Sequence, residues 1–196
     1  MTATYPPPPP VDQGIYLYIQ INTPSEPAVA AQPEATPMNI LTVNLVLSTL
    51  VFAIAAWLYL RPKLAALDPS AVVLPILLLH ALRHLGLMFL APGAVFPGIP
   101  AQFAWPAALG DLTAAALALI AIPAVVRGSR LARPLVGLFN LEGTVDLIAA
   151  ITLATVNDAA PYMGPAYWIP AFWVPALLVT HAIVFVLLGR RWTGPM

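Results

Sequence analysis

The chain has 196 residues, 60% hydrophobic and only 8% charged, with a formal net charge of zero and no cysteine. A soluble domain carries roughly 25% charged residues, so a fold that meets water all round is excluded. The zero net charge gives no basis for nucleic-acid binding, and the missing cysteines remove disulfides, thiolate nucleophiles and thiolate metal ligands.

Residues 1–37 read as a separate region. Residues 6–10 are consecutive prolines, which favour extended polyproline II. Pro24, Pro27, Pro33 and Pro37 follow, with Asp12, Glu26 and Glu34 but no Lys or Arg. This composition predicts an extended or disordered tail. Within it, Ile15, Leu17, Ile19 and Ile21 alternate with polar residues at the period of a strand, as a docking segment would. Without a basic n-region the tail is not a secretory signal. Met38, just before the first apolar run, is an alternative start.

Five apolar runs follow, each long enough to cross about 30 Å of hydrocarbon. The first covers residues 39–60, with Asn44 and Ser48 on one face and Arg61-Pro62-Lys63 at its end. The second, 69–91, starts with a capping Asp68 and Pro69 at the first helical position. Helical spacing places His80, Arg83, His84 and Leu87 on one of its faces. An uncharged connector rich in Pro and Gly leads to the third run, 103–126, where Asp111 shares a face with Ala114, Ala115 and Ala118. Small residues let helices approach closely, so Asp111 is expected to face inward. The fourth, 134–156, carries Asn140, Glu142 and Asp146. Glu142 and Asp146 share a face, and Asn140 is expected to point away, towards the side of Thr144. The fifth, 167–189, should be distorted by Pro170 and Pro175 and carries His181.

The predicted fold is therefore an all-α integral membrane protein: a pro-rich tail (1–37) and a five-helix transmembrane domain (38–196). Of eight Lys and Arg residues, Arg61, Lys63, Arg127, Arg130, Arg133, Arg190 and Arg191 fall on one side of a five-span bundle. The positive-inside rule then places the N-terminus outside and the C-terminus in the cytoplasm, in a plasma or inner membrane. Aromatic belts agree, with Trp105, Tyr162, Tyr167 and Trp168 outside and Trp57, Tyr59 and Trp192 inside.

The eighth basic residue, Arg83, sits within a span. A charged Arg at a helix centre costs about 2.5–3.5 kcal/mol on insertion scales, so it requires partners. At about 1.5 Å of rise per residue, Arg83 and Asp111 lie about 12 Å from the outer face and Asp146 about 15 Å. His80 lies about 16 Å deep, and Glu142 and His181 about 21 Å. Two layers are expected: Arg83, Asp111 and Asp146, with His84 beside them, above His80, Glu142 and His181. One Arg against three acids leaves −2, to be balanced by protons on the acids or histidines, or by a bound cation.

These seven residues, His80, Arg83, His84, Asp111, Glu142, Asp146 and His181, are the candidate site. The leading expectation is a protein that binds or passes a small ligand, ion or proton, since chains of acids and histidines in membranes suit such work. The residues lean against an enzyme without deciding it, one acting on lipid through His80, His84, Asp111 and Asp146 being the alternative. A second reading is redox: His80 and His84 on one divalent metal, or His80 and His181 as axial ligands of a haem. A third is an accessory subunit. The expected partners are the lipid bilayer and a homo-oligomer or larger membrane complex. Phosphate-binding glycine loops and a nucleophile elbow are missing, and the lone Lys63 lies in a connector, not where a retinal Schiff base would form.

Overall fold

The computed structural model describes residues 39–190 and 192. The tail, with its alternating segment and Met38, lies outside the described residues, as does Arg191. Five helices long and apolar enough to cross a membrane make up the domain: α1 Ile40–Leu64, α2 Pro69–Leu90, α3 Ala101–Val126, α4 Ala132–Val156 and α5 Gly164–Leu188. Among the described residues there are no strands.

The helix starts follow local chemistry. The Asn39 side chain accepts from Thr42 N at 3.3 Å and that of Asp68 from Ser70 N at 2.9 Å, each satisfying a first-turn donor. α1 runs past the predicted stop at Leu60. A π turn over Ala56–Leu60 relaxes the backbone ahead of Pro62, and a further helical turn, Arg61–Leu64, follows. The prolines of α5 act as expected: Gly164–Tyr167 is 3-10, Ile169–Trp173 a π turn, and regular α-helix begins only at Val174.

α2 changes pitch midway. It is α-helical over Pro69–Ala81 and tightens to 3-10 over Leu82–Leu90. The buried positions change spacing with it: Val73, Ile76, Leu77 and His80, then Arg83, Gly86 and Phe89 at strict intervals of three. A 3-10 helix has three residues per turn, so this is the face that meets the bundle.

α3 is the central packing element. Its buried face is almost all alanine, including Ala107, Ala108, Ala114, Ala115, Ala118 and Ala121. Small side chains bring α2 and α4 close against it. Two apolar cores result. Near the basic end, Val73, Leu77, Ala118, Val136, Phe139 and Val184 pack with almost no exposed surface. Near the opposite end lies a second core around Phe89, Phe103, Leu147, Met163 and Leu177. α1 has no buried residue. It leans on α5 through the Phe52–Phe172 pair and a hydrogen bond from Asn44 Nδ2 to Tyr167 Oη at 3.3 Å, which accounts for its polar face.

Each end is tied by the backbone. At the basic end, the Arg190 guanidinium donates to Leu64 O and Ala65 O, and Arg133 Nη2 donates to Leu188 O at 2.7 Å. At the other end, the proline- and glycine-rich connector pairs with the α4–α5 connector. Phe96 N donates to Tyr162 O and Ala166 N to Ala94 O, both at 2.9 Å. Gly93 and Gly98, at φ 83° and 92°, supply the left-handed turns this path needs.

The alanine face of α3 is expected to be intolerant of volume. Ala118→Leu should lower stability by about 1–3 kcal/mol through overpacking, read as a lower thermal unfolding midpoint in detergent, whereas Ala118→Gly should cost less than about 1 kcal/mol more than its helix-propensity loss.

Candidate functional site

The pitch change in α2 aims Arg83 into the bundle, where the residue is 1% exposed. Its guanidinium reaches two other helices. Nε donates to Asp111 Oδ1 on α3 at 2.7 Å, Nη2 donates to Asp146 Oδ2 on α4, and Nη1 donates to Gly143 O on α4 at 3.2 Å. All three nitrogens are engaged. The rigid fork of arginine suits a clamp of this kind, which a lysine ammonium cannot match. The expected layer of Arg83, Asp111 and Asp146 is thus assembled, and these are the only ion pairs among the described residues.

Glycines make the approach possible. A Cβ on Gly86 would strike the Asp111 carboxylate, and one on Gly110 would strike that of Asp146. At Gly143 it would lie 2.7 Å from Arg83 Nη1 and 2.8 Å from His181 Nε2. Sequence reasoning passed over all three; the available signal was a glycine beside an acid within an apolar run, in Gly110-Asp111 and Glu142-Gly143.

A second polar group lies one turn nearer the basic end. The rings of His80 and His181 meet edge to face at 4.3 Å between centroids, with Phe139 against both. His80 Nε2 shares a hydrogen bond with Thr180 Oγ1 at 2.9 Å, and His181 Nδ1 one with Asn140 Oδ1 at 2.8 Å. The Thr180 hydroxyl gives its proton to the backbone of its own helix, so His80 Nε2 is the donor. His80 Nδ1, His181 Nε2 and the Asn140 amide nitrogen are buried with no protein partner among the described residues.

Several expectations are corrected. His84 does not join Arg83: it is exposed, with Nδ1 bonded to Ala81 O at 2.9 Å. The i, i+4 spacing that aligns it with His80 holds for an α-helix, and the 3-10 segment rotates it off the face. The His80–His84 metal pair is therefore not formed. The His80–His181 haem does not fit either, because rings in direct contact leave no room for a macrocycle between them. Among the described residues no three His, Cys, Asp or Glu side chains converge as metal ligands. Glu142 stays out of the histidine layer; it is half-buried, with Oε2 unpartnered among the described residues. Asn140, expected to point away, is the fully buried partner of His181; Thr144 meets only its backbone carbonyl, at 2.6 Å.

Beyond the clamp, towards the end opposite the basic one, lies a cavity of about 280 Å³. Asn39, Thr42, Asp158 and Ala160 line its end near the connectors. Phe89, Phe103, Ala107, Ala150, Ile151 and Val174 line its walls. Asp111 and Leu147 are the lining residues of α3 and α4 that lie deepest, so the cavity ends on the clamp. Asp111 is 8% exposed; Oδ1 accepts the hydrogen bond from Arg83 Nε, and Oδ2 accepts none among the described residues.

The fold and site define a helical bundle with five membrane-length helices, a buried arginine clamp and an apolar cavity over it. A model of a domain of unknown function, DUF8737, matches residues 40–189, and the chain belongs to that family. No curated protein and no solved structure matches it.

Removing the arginine leaves two buried carboxylates facing each other. Arg83→Met should destabilise by about 3–5 kcal/mol, and adding Asp111→Asn and Asp146→Asn should recover most of that loss. Arg83→Lys should not restore the wild-type midpoint, since one ammonium cannot span three acceptors on two helices. Thermal unfolding followed by tryptophan fluorescence in detergent reads all three variants.

Proposed function

We propose that this is a polytopic integral membrane protein, N-terminus outside and C-terminus cytoplasmic, that binds a small ligand in the cavity ending on Asp111. The observation that carries the reading is the cavity itself: walls almost wholly apolar, closing on a carboxylate held in place by Arg83. Small-molecule sites are commonly apolar clefts with a few fixed polar groups. Its volume, about 280 Å³, suits a molecule of modest size.

Binding is favoured over passage. The basic half of the bundle is filled by Val73, Leu77, Ala118, Val136, Phe139 and Val184, and a close-packed apolar core offers no polar path past the histidine pair. Arg133 and Arg190 tie that end to backbone carbonyls. The orientation rests on the one-sided Lys and Arg distribution, and the membrane placement on the five helices and on α1, which leaves Val46, Leu47, Leu50, Val51 and Ile54 exposed.

The cysteine-free chain makes both parts testable. A Ser129→Cys variant in right-side-out cells should resist a membrane-impermeant maleimide until the membrane is opened, and a Pro97→Cys variant should label at once; the reverse pattern would overturn the orientation. For the ligand, protein purified in mild detergent and extracted under denaturing conditions should yield a small molecule near one per chain by mass spectrometry. Ala150→Phe, which fills the cavity from a half-buried wall position, should lose it while remaining folded. Equal recovery from both proteins, including none from either, would sink the binding reading.

A further inference from the structure

We infer that the ligand of this cavity is an organic cation: an apolar body carrying an ammonium group that pairs with Asp111. The inference rests on the binding reading above and names the chemistry of its ligand.

The charges around the cavity have one sign. Its lining holds two ionisable residues, Asp158 near the connectors and Asp111 at the deep end, and no Lys, Arg or His. Arg83 does not line it; the guanidinium sits behind Asp111 with every nitrogen already donating. A ligand in the cavity therefore meets a carboxylate and not the arginine. One guanidinium against Asp111 and Asp146 leaves a formal −1 in the clamp, and Asp111 Oδ2 has acceptor capacity to spare. A donor carrying positive charge completes both the charge count and the hydrogen bonding.

The walls select the kind of cation. A Ca²⁺ or Mg²⁺ ion needs about six or more oxygen ligands, and the deep end offers one carboxylate among Ala107, Leu147 and Val174. Alkyl or aryl groups gain from the same walls. Phe89 and Phe103, packed edge to face at 5.0 Å, also line the cavity, and aromatic rings attract cations within about 6 Å. An anion would meet two carboxylates without a counter-charge. A neutral apolar molecule would leave Oδ2 buried and unpaired.

The test uses the full chain in lipid nanodiscs with Ala150→Cys, a wall position, and Pro97→Cys, an exposed connector position, as reference. Each is treated with a trimethylammonium-ethyl and a sulfonatoethyl methanethiosulfonate, close in size and opposite in charge. The ratio of cationic to anionic rates at Ala150→Cys should exceed that at Pro97→Cys by about 10-fold or more, the scale on which charged clefts concentrate ions. Adding Asp111→Asn should lower it several-fold towards the reference. Should that variant fail to fold, n-hexylammonium should slow modification in the Asp111 background while 1-hexanol and hexanoate do not. A ratio at or below the reference, or equal protection by the three six-carbon probes, would overturn the cation and leave the cavity reading standing. No reaction with either reagent, while Pro97→Cys reacts, would mean a closed cavity and would overturn both.

Discussion

The ion pairs of Arg83 are the constraint around which the bundle is arranged. A guanidinium buried to 1% exposure tolerates no loss of partners, because breaking a buried pair strands a charge at a cost of about 3–5 kcal/mol. Meeting that demand requires α2, α3 and α4 to converge within hydrogen-bond reach at one level. The remaining features of this region follow. α3 presents alanine so that its neighbours can close in, and Gly86, Gly110 and Gly143 clear the space the clamp's side chains occupy. The 3-10 turn of α2 repeats its inward face every three residues, which brings Arg83 and Gly86 to the same wall.

The clamp also divides the bundle into unlike halves. Towards the basic end α2 to α5 are regular and their core is filled. Away from it α2 is 3-10, α5 begins with 3-10 and π turns, and the helices leave a cavity between them. Irregular helix is less well packed and less well hydrogen-bonded than α-helix. That half is nonetheless fixed, since its two connectors bond each other through main-chain groups. A rigid rim around an apolar space with one anchored carboxylate is a pre-organised arrangement, in which a ligand would not have to order the protein on entering.

Much of this was legible in the sequence, and the limits were geometric. Five apolar runs gave five helices, with ends moved by only a few residues; the largest shift, at α1, came from a π turn that hydropathy does not register. Equal depth along ideal helices was enough to pair Arg83 with Asp111 and Asp146, because a charge in an apolar bundle must find the opposite charge at its own level. The same ideal helix failed at His84. Past Leu82 the rotation per residue is 120° rather than 100°, and one residue of phase is enough to turn a histidine outward. Asn140 was misplaced because its side chain was set by a partner on α5, which a pattern within α4 does not contain. The cavity was illegible for a related reason: it is a lack of side-chain volume shared among five helices, and no single stretch encodes it.

An arginine read from sequence in the middle of an apolar run invites the idea that it receives an anionic ligand. The geometry argues otherwise. Each of the three guanidinium nitrogens already donates to an acceptor on α3 or α4, and it is Asp111 that lines the cavity and not Arg83. Its contribution is to hold a carboxylate at the bottom of an apolar space where an unheld one would be too costly to keep charged. Asp146, on the neighbouring Nη2 of the same guanidinium, then does more than close an ion pair. It leaves Asp111 sharing one formal positive charge with a second acid. A clamp with one acid would be formally neutral; the second leaves a formal −1, the charge that the proposed organic cation would balance.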